Sequence, residues 1–142
     1  MFKEILRKIL GSKPLGKQAT ILVVDDSDVD RTFSLRTLSN RGYKILSAPN
    51  GETGVQMAKA HRPDLILLDY MMPDLNGPEV CHILKNDTTT KNIPVIFLTS
   101  LDTPKSVVDC FEQGAEIFLP KPIKASELLE QVRLTLSEKF HA

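Results

Sequence analysis

The chain has 142 residues, 42% apolar and 25% charged, which is the size and composition of one globular domain with a single core; two domains would be hard to fit. Lys+Arg and Asp+Glu both number 18, which excludes a global basic field for nucleic acid and an acidic tail. No apolar run approaches the roughly 20 residues that span a bilayer, and the N-terminal stretch is too short and too charged to contain a signal-peptide core, so the expected compartment is the cytoplasm.

In chain order, residues 1–19 form a leader. Lys3, Arg7, Lys8, Lys13 and Lys17 stand against Glu4, so the leader is basic and the body mildly acidic. Phe2, Ile5, Leu6, Ile9 and Leu10 make a helical stripe. Three readings compete for it: a short amphipathic helix that binds a partner protein or an anionic membrane; a helix packed on its own domain or on a twin, as in a homodimer; and a disordered leader. Protein contact ranks first and membrane last, because a segment this short is marginal as an isolated helix. Gly11-Ser12-Lys13-Pro14-Leu15-Gly16 reads as a linker, which leaves 20–142 as the folded domain.

Beyond the linker, strand and helix patterns alternate. Ile21-Leu22-Val23-Val24 is a purely apolar run, followed by a helical segment over 28–40. There, if Phe33 faces the sheet, Leu35 faces outward and could dock a helix of a partner protein; a solitary exposed leucine is the blander reading. Tyr43 to Ala48 alternates and looks like an edge strand, before a helix over 52–61. Leu65-Ile66-Leu67-Leu68, a helix over 78–86, Val95-Ile96-Phe97-Leu98, a helix over 104–113, Ile117-Phe118-Leu119 and a helix over 125–139 complete the chain. Pro78 and Pro104 fall where each helix should take its first residue. Apolar strands without alternation are covered on both faces, so the pattern predicts a doubly wound, five-stranded parallel α/β sheet with right-handed crossovers. Ligands of such sheets bind beyond the carboxyl ends of the strands.

The residues at those ends are Asp25-Asp26, Asp69, Thr99-Ser100 and Lys121-Pro122. One terminal Asp means little, since Asp is a common helix N-cap. Three converging carboxylates are different: they repel one another, and a divalent cation resolves the conflict. Hard oxygen ligands without nearby His or thiolate favour Mg²⁺. Such an ion leaves room for a phosphoryl oxygen, Lys121 and Thr99 can serve the other oxygens, and one carboxylate can act as nucleophile. The chemistry of the residues does not say which one.

The ordered set Asp25-Asp26, Asp69-x-x-Met72-Pro73-x-x-x-Gly77, Thr99 and Lys121-Pro122, with Thr99 30 residues after Asp69 and Lys121 22 after Thr99, resembles the receiver domain of two-component response regulators of the chemotaxis, single-domain kind. The resemblance covers about 20–139 and implies a flavodoxin-like sheet of order 2-1-3-4-5. It further implies that Asp69 is the phosphoacceptor, that Asp26, Asp69 and the Met71 backbone carbonyl ligate Mg²⁺ directly, and that Asp25 acts mainly through a metal-bound water. Thr99 resembles the switch hydroxyl, Phe118 stands at the switch-aromatic place, and the Lys121-Pro122 bond is expected to be cis.

On this resemblance the donor is a histidine kinase or a histidine phosphotransfer protein, and phosphorylation reshapes the surface of helix 104–113, the last strand and helix 125–139 for a separate partner protein. The domain is then a switch that catalyses its own phosphorylation, not a turnover enzyme, and nucleic acid is not a partner. Phe118 lacks the phenolic hydroxyl of a tyrosine, which implies a looser switch. Met71 and Leu101 flank the path of the hydrolytic water in this family and neither can orient it, which implies a phosphoryl lifetime of minutes to hours; the alternative is that both merely pack.

Other functions fit less well. A haloacid-dehalogenase-type phosphatase needs D-x-D after its first strand, and Asp26-Ser27-Asp28 would place its second Asp at a helix start. A P-loop is absent, and a flavodoxin would present hydroxyls where this chain presents carboxylates. A receiver-like fold that never takes phosphate is disfavoured by the complete residue set. Cys81 and Cys110, without CxxC or histidine spacing, read as reduced buried thiols, and His61, His82 and His141 as surface or packing residues.

Overall fold

Two of the five strands carry no polar side chain, and two more carry only a threonine at one end. A computed structural model, which describes residues 18–141, shows why. The expected leader helix and its linker lie outside the described residues. The elements are β1 (Thr20–Val24), α1 (Asp28–Ser39), β2 (Lys44–Ala48), α2 (Gly51–His61), β3 (Leu65–Leu68), α3 (Gly77–Lys85), β4 (Val95–Thr99), α4 (Pro104–Glu112), β5 (Ile117–Pro120) and α5 (Ala125–His141). The strands form one parallel sheet of order β2-β1-β3-β4-β5, as expected.

Successive strand residues feed opposite cores. Leu22, Val24, Ile66, Leu68, Val95 and Phe97 pack with Ala58 of α2, Val80, Cys81 and Leu84 of α3 and Cys110 of α4. Ile21, Val23, Leu65, Leu67, Ile96 and Leu98 pack with Leu38 of α1 and with Leu128, Val132 and Leu136 of α5. A sheet buried on both faces needs apolar residues at every position, and each fully buried Leu, Ile or Val contributes about 1.5–3 kcal/mol. β2, at one edge, is only partly covered, with Lys44 exposed, which matches its alternating sequence.

Two local expectations are corrected. α3 begins one residue early: Asn76 accepts from the Glu79 backbone N–H while the Glu79 carboxylate accepts from that of Asn76, so this capping box makes Gly77 the first helical residue and Pro78 the second. On α1 the buried positions are Ser34 and Leu38, whereas Phe33 is 38% exposed. Phe33 therefore does not face the sheet, the inference of an outward Leu35 loses its premise, and Leu35 is half-buried. Phe33 instead lines a shallow groove between α1 and α5 with Val29, Ala125 and Leu129. Among the described residues, no helix is long and apolar enough to cross a membrane.

Candidate metal and phosphoryl site

The backbone ladder of the sheet delivers the polar residues to one edge. Beyond the last residue of β1, Asp25 N–H donates to Ala48 O at 3.1 Å; beyond β3, Asp69 N–H donates to Val24 O at 3.0 Å; beyond β5, Lys121 N–H donates to Thr99 O at 2.9 Å. Each residue continues a strand by one step, so its position is held by sheet hydrogen bonds. The sheet order makes β1 and β3, β3 and β4, and β4 and β5 neighbours, which gathers Asp25, Asp26, Asp69, Thr99 and Lys121 although they are spread over 97 positions of sequence.

Asp25 and Asp69 are 4% and 8% exposed, Asp26 is exposed, and one carboxylate oxygen of each lies within 4.8 Å of the others. Two unit charges at such a separation repel by about 3 kcal/mol even at an effective dielectric constant of about 20. Burial, followed by the charge of Asp69, pushes the Asp25 pKa above its ordinary value, against the opposing hydrogen bonds from Lys121 and the Ser27 N–H. Lys121 is the cation facing this cluster. Its Nζ donates to Asp25 Oδ2 at 2.8 Å and to Asp30 Oδ2 at 2.9 Å, with Asp69 Oδ2 at 3.5 Å. Burial opposes its charge, but the bonds to Asp25 and Asp30 outweigh it and raise its pKa, so the ammonium is maintained. Three carboxylates of hard oxygen around a partly buried point are the donor set that suits Mg²⁺.

Asp69 is shaped from behind as well. Its Oδ1 accepts from the Tyr70 backbone N–H at 2.7 Å, while Gly77 N–H donates to Tyr70 O at 2.7 Å. A Cβ at Gly77 would collide with the Asp69 carbonyl oxygen and come 2.5 Å from the Phe97 ring, so only glycine lets the loop close against the strand end. The Met71 side chain is 61% exposed in that loop. Thr99 is 1% exposed and its Oγ1 accepts from the Leu101 N–H at 3.2 Å. Phe118 is half-buried beside its strand partner Phe97, and the Lys121-Pro122 bond is cis.

Several participants escaped the sequence reading. Asp30, in the first turn of α1, reaches Lys121, and the nearby Arg31 donates to the Asp25 carbonyl oxygen at 2.7 Å. Asp74 accepts from the N–H groups of Gly51 and Glu52, tying the β3–α3 loop to the start of α2. These bonds, first that to Glu52, hold the Asp74 pKa below its ordinary value. Tyr70 Oη donates to Asp109 Oδ2 on α4 at 3.1 Å. The one sequence signal among these is Ser27-x-x-Asp30, a capping pattern. The cysteines are buried and free, and His61 and His82 are exposed, with His82 Nδ1 2.9 Å from Gln113 Oε1.

This arrangement defines a class. The model of the response regulator receiver domain matches residues 21–133, and the chain belongs to that family, the signal-receiving domains of two-component systems. Among its relatives, protein PilH of Pseudomonas aeruginosa is 37% identical over 119 residues, covering 84% of this chain and 98% of PilH. Response regulator PleD of Caulobacter vibrioides is 42% identical over 115 residues, 81% of this chain, which spans about a quarter (25%) of PleD's length. The crystal structure of chemotaxis protein CheY4 of Vibrio cholerae superposes with a TM-score of 0.79 at 29% identity, covering 83% of this chain and 98% of CheY4.

Proposed function

We propose that Asp69 accepts a phosphoryl group and that this chain thereby acts as a phosphorylation-controlled switch. The observation that carries the reading is the meeting of three carboxylate oxygens within 4.8 Å of one another, with the Lys121 ammonium reaching two of those carboxylates. Asp25, Asp26 and Asp69, with the Met71 carbonyl, would hold Mg²⁺, and the bound ion would supply charge neutralisation for the phosphoryl oxygens. An Asp69 carboxylate oxygen attacks phosphorus, the P–N bond of a kinase or phosphotransfer-protein phosphohistidine breaks, and the leaving imidazole nitrogen keeps the bonding pair. The product is an acyl phosphate on Asp69. Lys121 offers a hydrogen bond to a transferred oxygen, and the Thr99 hydroxyl, leaving the Leu101 N–H, offers another.

That departure of Thr99 would make room for Phe118 to turn inward and alter the face made by α4, β5 and α5, where a separate protein would read the state. Val108 and Phe111 on α4 and Leu134 on α5 are 52%, 47% and 41% exposed, which suits such a reader. Neither Met71 nor Leu101 can orient a water, so hydrolysis back to carboxylate and phosphate would be slow. In this reading residues 20–142 are the receiver, residues 1–19 a separate leader, and the chain a cytoplasmic phosphoacceptor, not a turnover enzyme. The test is incubation with Mg²⁺ and acetyl phosphate or phosphoramidate beside Asp69→Ala, followed by intact mass. One Mg²⁺-dependent phosphoryl adduct, absent from the variant and lasting minutes to hours, is the expected result. No adduct with either donor would count against Asp69 as an autonomous acceptor, and decay within seconds would refute the argument from Met71 and Leu101.

A further inference from the structure

A lysine ammonium has three N–H bonds to place. At Lys121 two are taken, by Asp25 Oδ2 at 2.8 Å and Asp30 Oδ2 at 2.9 Å, while Asp69 Oδ2 stands off at 3.5 Å. Asp25 is heavily committed: its Oδ1 accepts from the Ser27 N–H at 3.0 Å, and it belongs to the carboxylate cluster that can hold a metal ion. Asp30 is outside that cluster. Its freedom has a local cause. The Ser27 side chain accepts from the Asp30 N–H at 3.2 Å, half of a capping box, and the other half would turn the Asp30 carboxylate back onto the Ser27 N–H. Asp25 already occupies that N–H, so the Asp30 carboxylate is left to reach Lys121 across 91 positions of sequence.

We propose that Asp30 is a positioning residue for Lys121: it anchors the ammonium from the first turn of α1, independently of the metal cluster, and so leaves the third N–H aimed at the oxygens of a phosphoryl group arriving on Asp69. The inference rests on the reading of Asp69 as phosphoacceptor. It follows from the division of labour between the two anchors. When a cation draws on the charge of Asp25, the bond to Asp30 persists, because Asp30 is not a ligand. Without it the side chain, only 13% exposed but hinged on a long flexible stem, would have one shared anchor and several orientations.

The test uses the full chain, Asp30→Ala and Asp30→Asn. Phosphorylation by acetyl phosphate is followed by intact mass, Mg²⁺ affinity is titrated separately, and the Lys121 ammonium is observed by ¹⁵N-detected NMR, which requires no phosphorylation. In Asp30→Ala the phosphorylation rate is expected to fall about five-fold, the order expected when a transition-state contact is loosened but not removed. Mg²⁺ affinity should stay within about two-fold, as Asp30 is not a ligand, and the Lys121 ammonium signal should broaden into solvent exchange. Asp30→Asn, whose amide oxygen can accept the same N–H, should recover most of the rate and the signal. An unchanged or faster rate in Asp30→Ala would overturn the proposal. So would a loss of Mg²⁺ affinity in proportion to the rate, or an ammonium signal identical to that of the parent. If the parent chain itself takes no phosphoryl group, the reading of Asp69 fails, and the ammonium signal alone still decides whether Asp30 anchors Lys121.

Discussion

Helices α3 and α4 are the same length, nine residues each, both carry proline in the first turn and both are capped by a side chain, yet they are held very differently. α3 buries Gly77, Pro78, Val80, Cys81 and Leu84, places Glu79 in its first turn and His82 and Lys85 in its last, and closes a capping box. α4 buries Ser106 and Cys110 alone, has no acidic residue in the first turn and no basic one in the last, and exposes Val108 and Phe111. Charges of the right sign at helix ends and buried apolar area are the ordinary means of holding a short helix, and α4 lacks most of both. The helix that follows the Asp69 loop is held by buried apolar side chains and end charges, and the helix that follows Thr99 mainly by the polar contacts of Ser106 and Asp109. The proposed switch would need that asymmetry: a rigid place for chemistry beside an element whose local stability is low enough to shift.

Thiol chemistry offers the sharpest contrast. Burial pushes the Cys81 thiol up to about 11 and the Cys110 thiol up to about 12, from an ordinary 9.0. Folding favours the neutral thiol, so at about pH 8 alkylation in the native state should run roughly a hundred-fold or more slower than in denaturant. The higher pKa alone would make Cys110 the slower of the two. If α4 opens more readily than α3, Cys110 is the faster, and mass-resolved labelling of the two would break the comparison if Cys81 reacted first.

The core substitutions come next in size. Leu84→Ala, at a position 1% exposed on α3, should destabilise the domain by about 3 kcal/mol in chemical denaturation. Gly77→Ala should cost about 2 kcal/mol through overpacking against the Asp69 carbonyl and the Phe97 ring. On α4, the Ser106 hydroxyl is bonded to Leu101 O at 2.9 Å and Thr103 O at 2.8 Å, and Ser106→Ala should cost about 1 kcal/mol. Val108→Ala should lie within about 0.5 kcal/mol of the parent. A Val108 effect as large as that of Leu84 would show α4 to be as firmly packed as α3.

Much of this molecule is legible in its sequence. Ile21 to Val24, Leu65 to Leu68 and Val95 to Leu98 announce strands covered on both faces, because a central strand of a parallel sheet has no solvent side on which to place a polar residue. Asp25, Asp26, Asp69, Thr99 and Lys121 were legible as one constellation because a parallel sheet carries all its strand ends to a single edge. The side on which Phe33 lies was not, since α1 spreads its apolar residues around the helix and only packing selects Ser34 and Leu38 as the buried face.

Composition and periodicity thus determined the elements, their class and the chemical kind of edge they make, since those depend on local preference and on the burial demanded of each position. Tertiary structure alone decided the long-range bonds that brace that edge and its loops. The bonds of Asp30 to Lys121, Asp74 to the N-terminus of α2 and Tyr70 to Asp109 span 91, 22 to 23 and 39 positions. The order of strands in the sheet and the spare capacity of each donor and acceptor select them, and neither quantity is written in any local stretch of the chain.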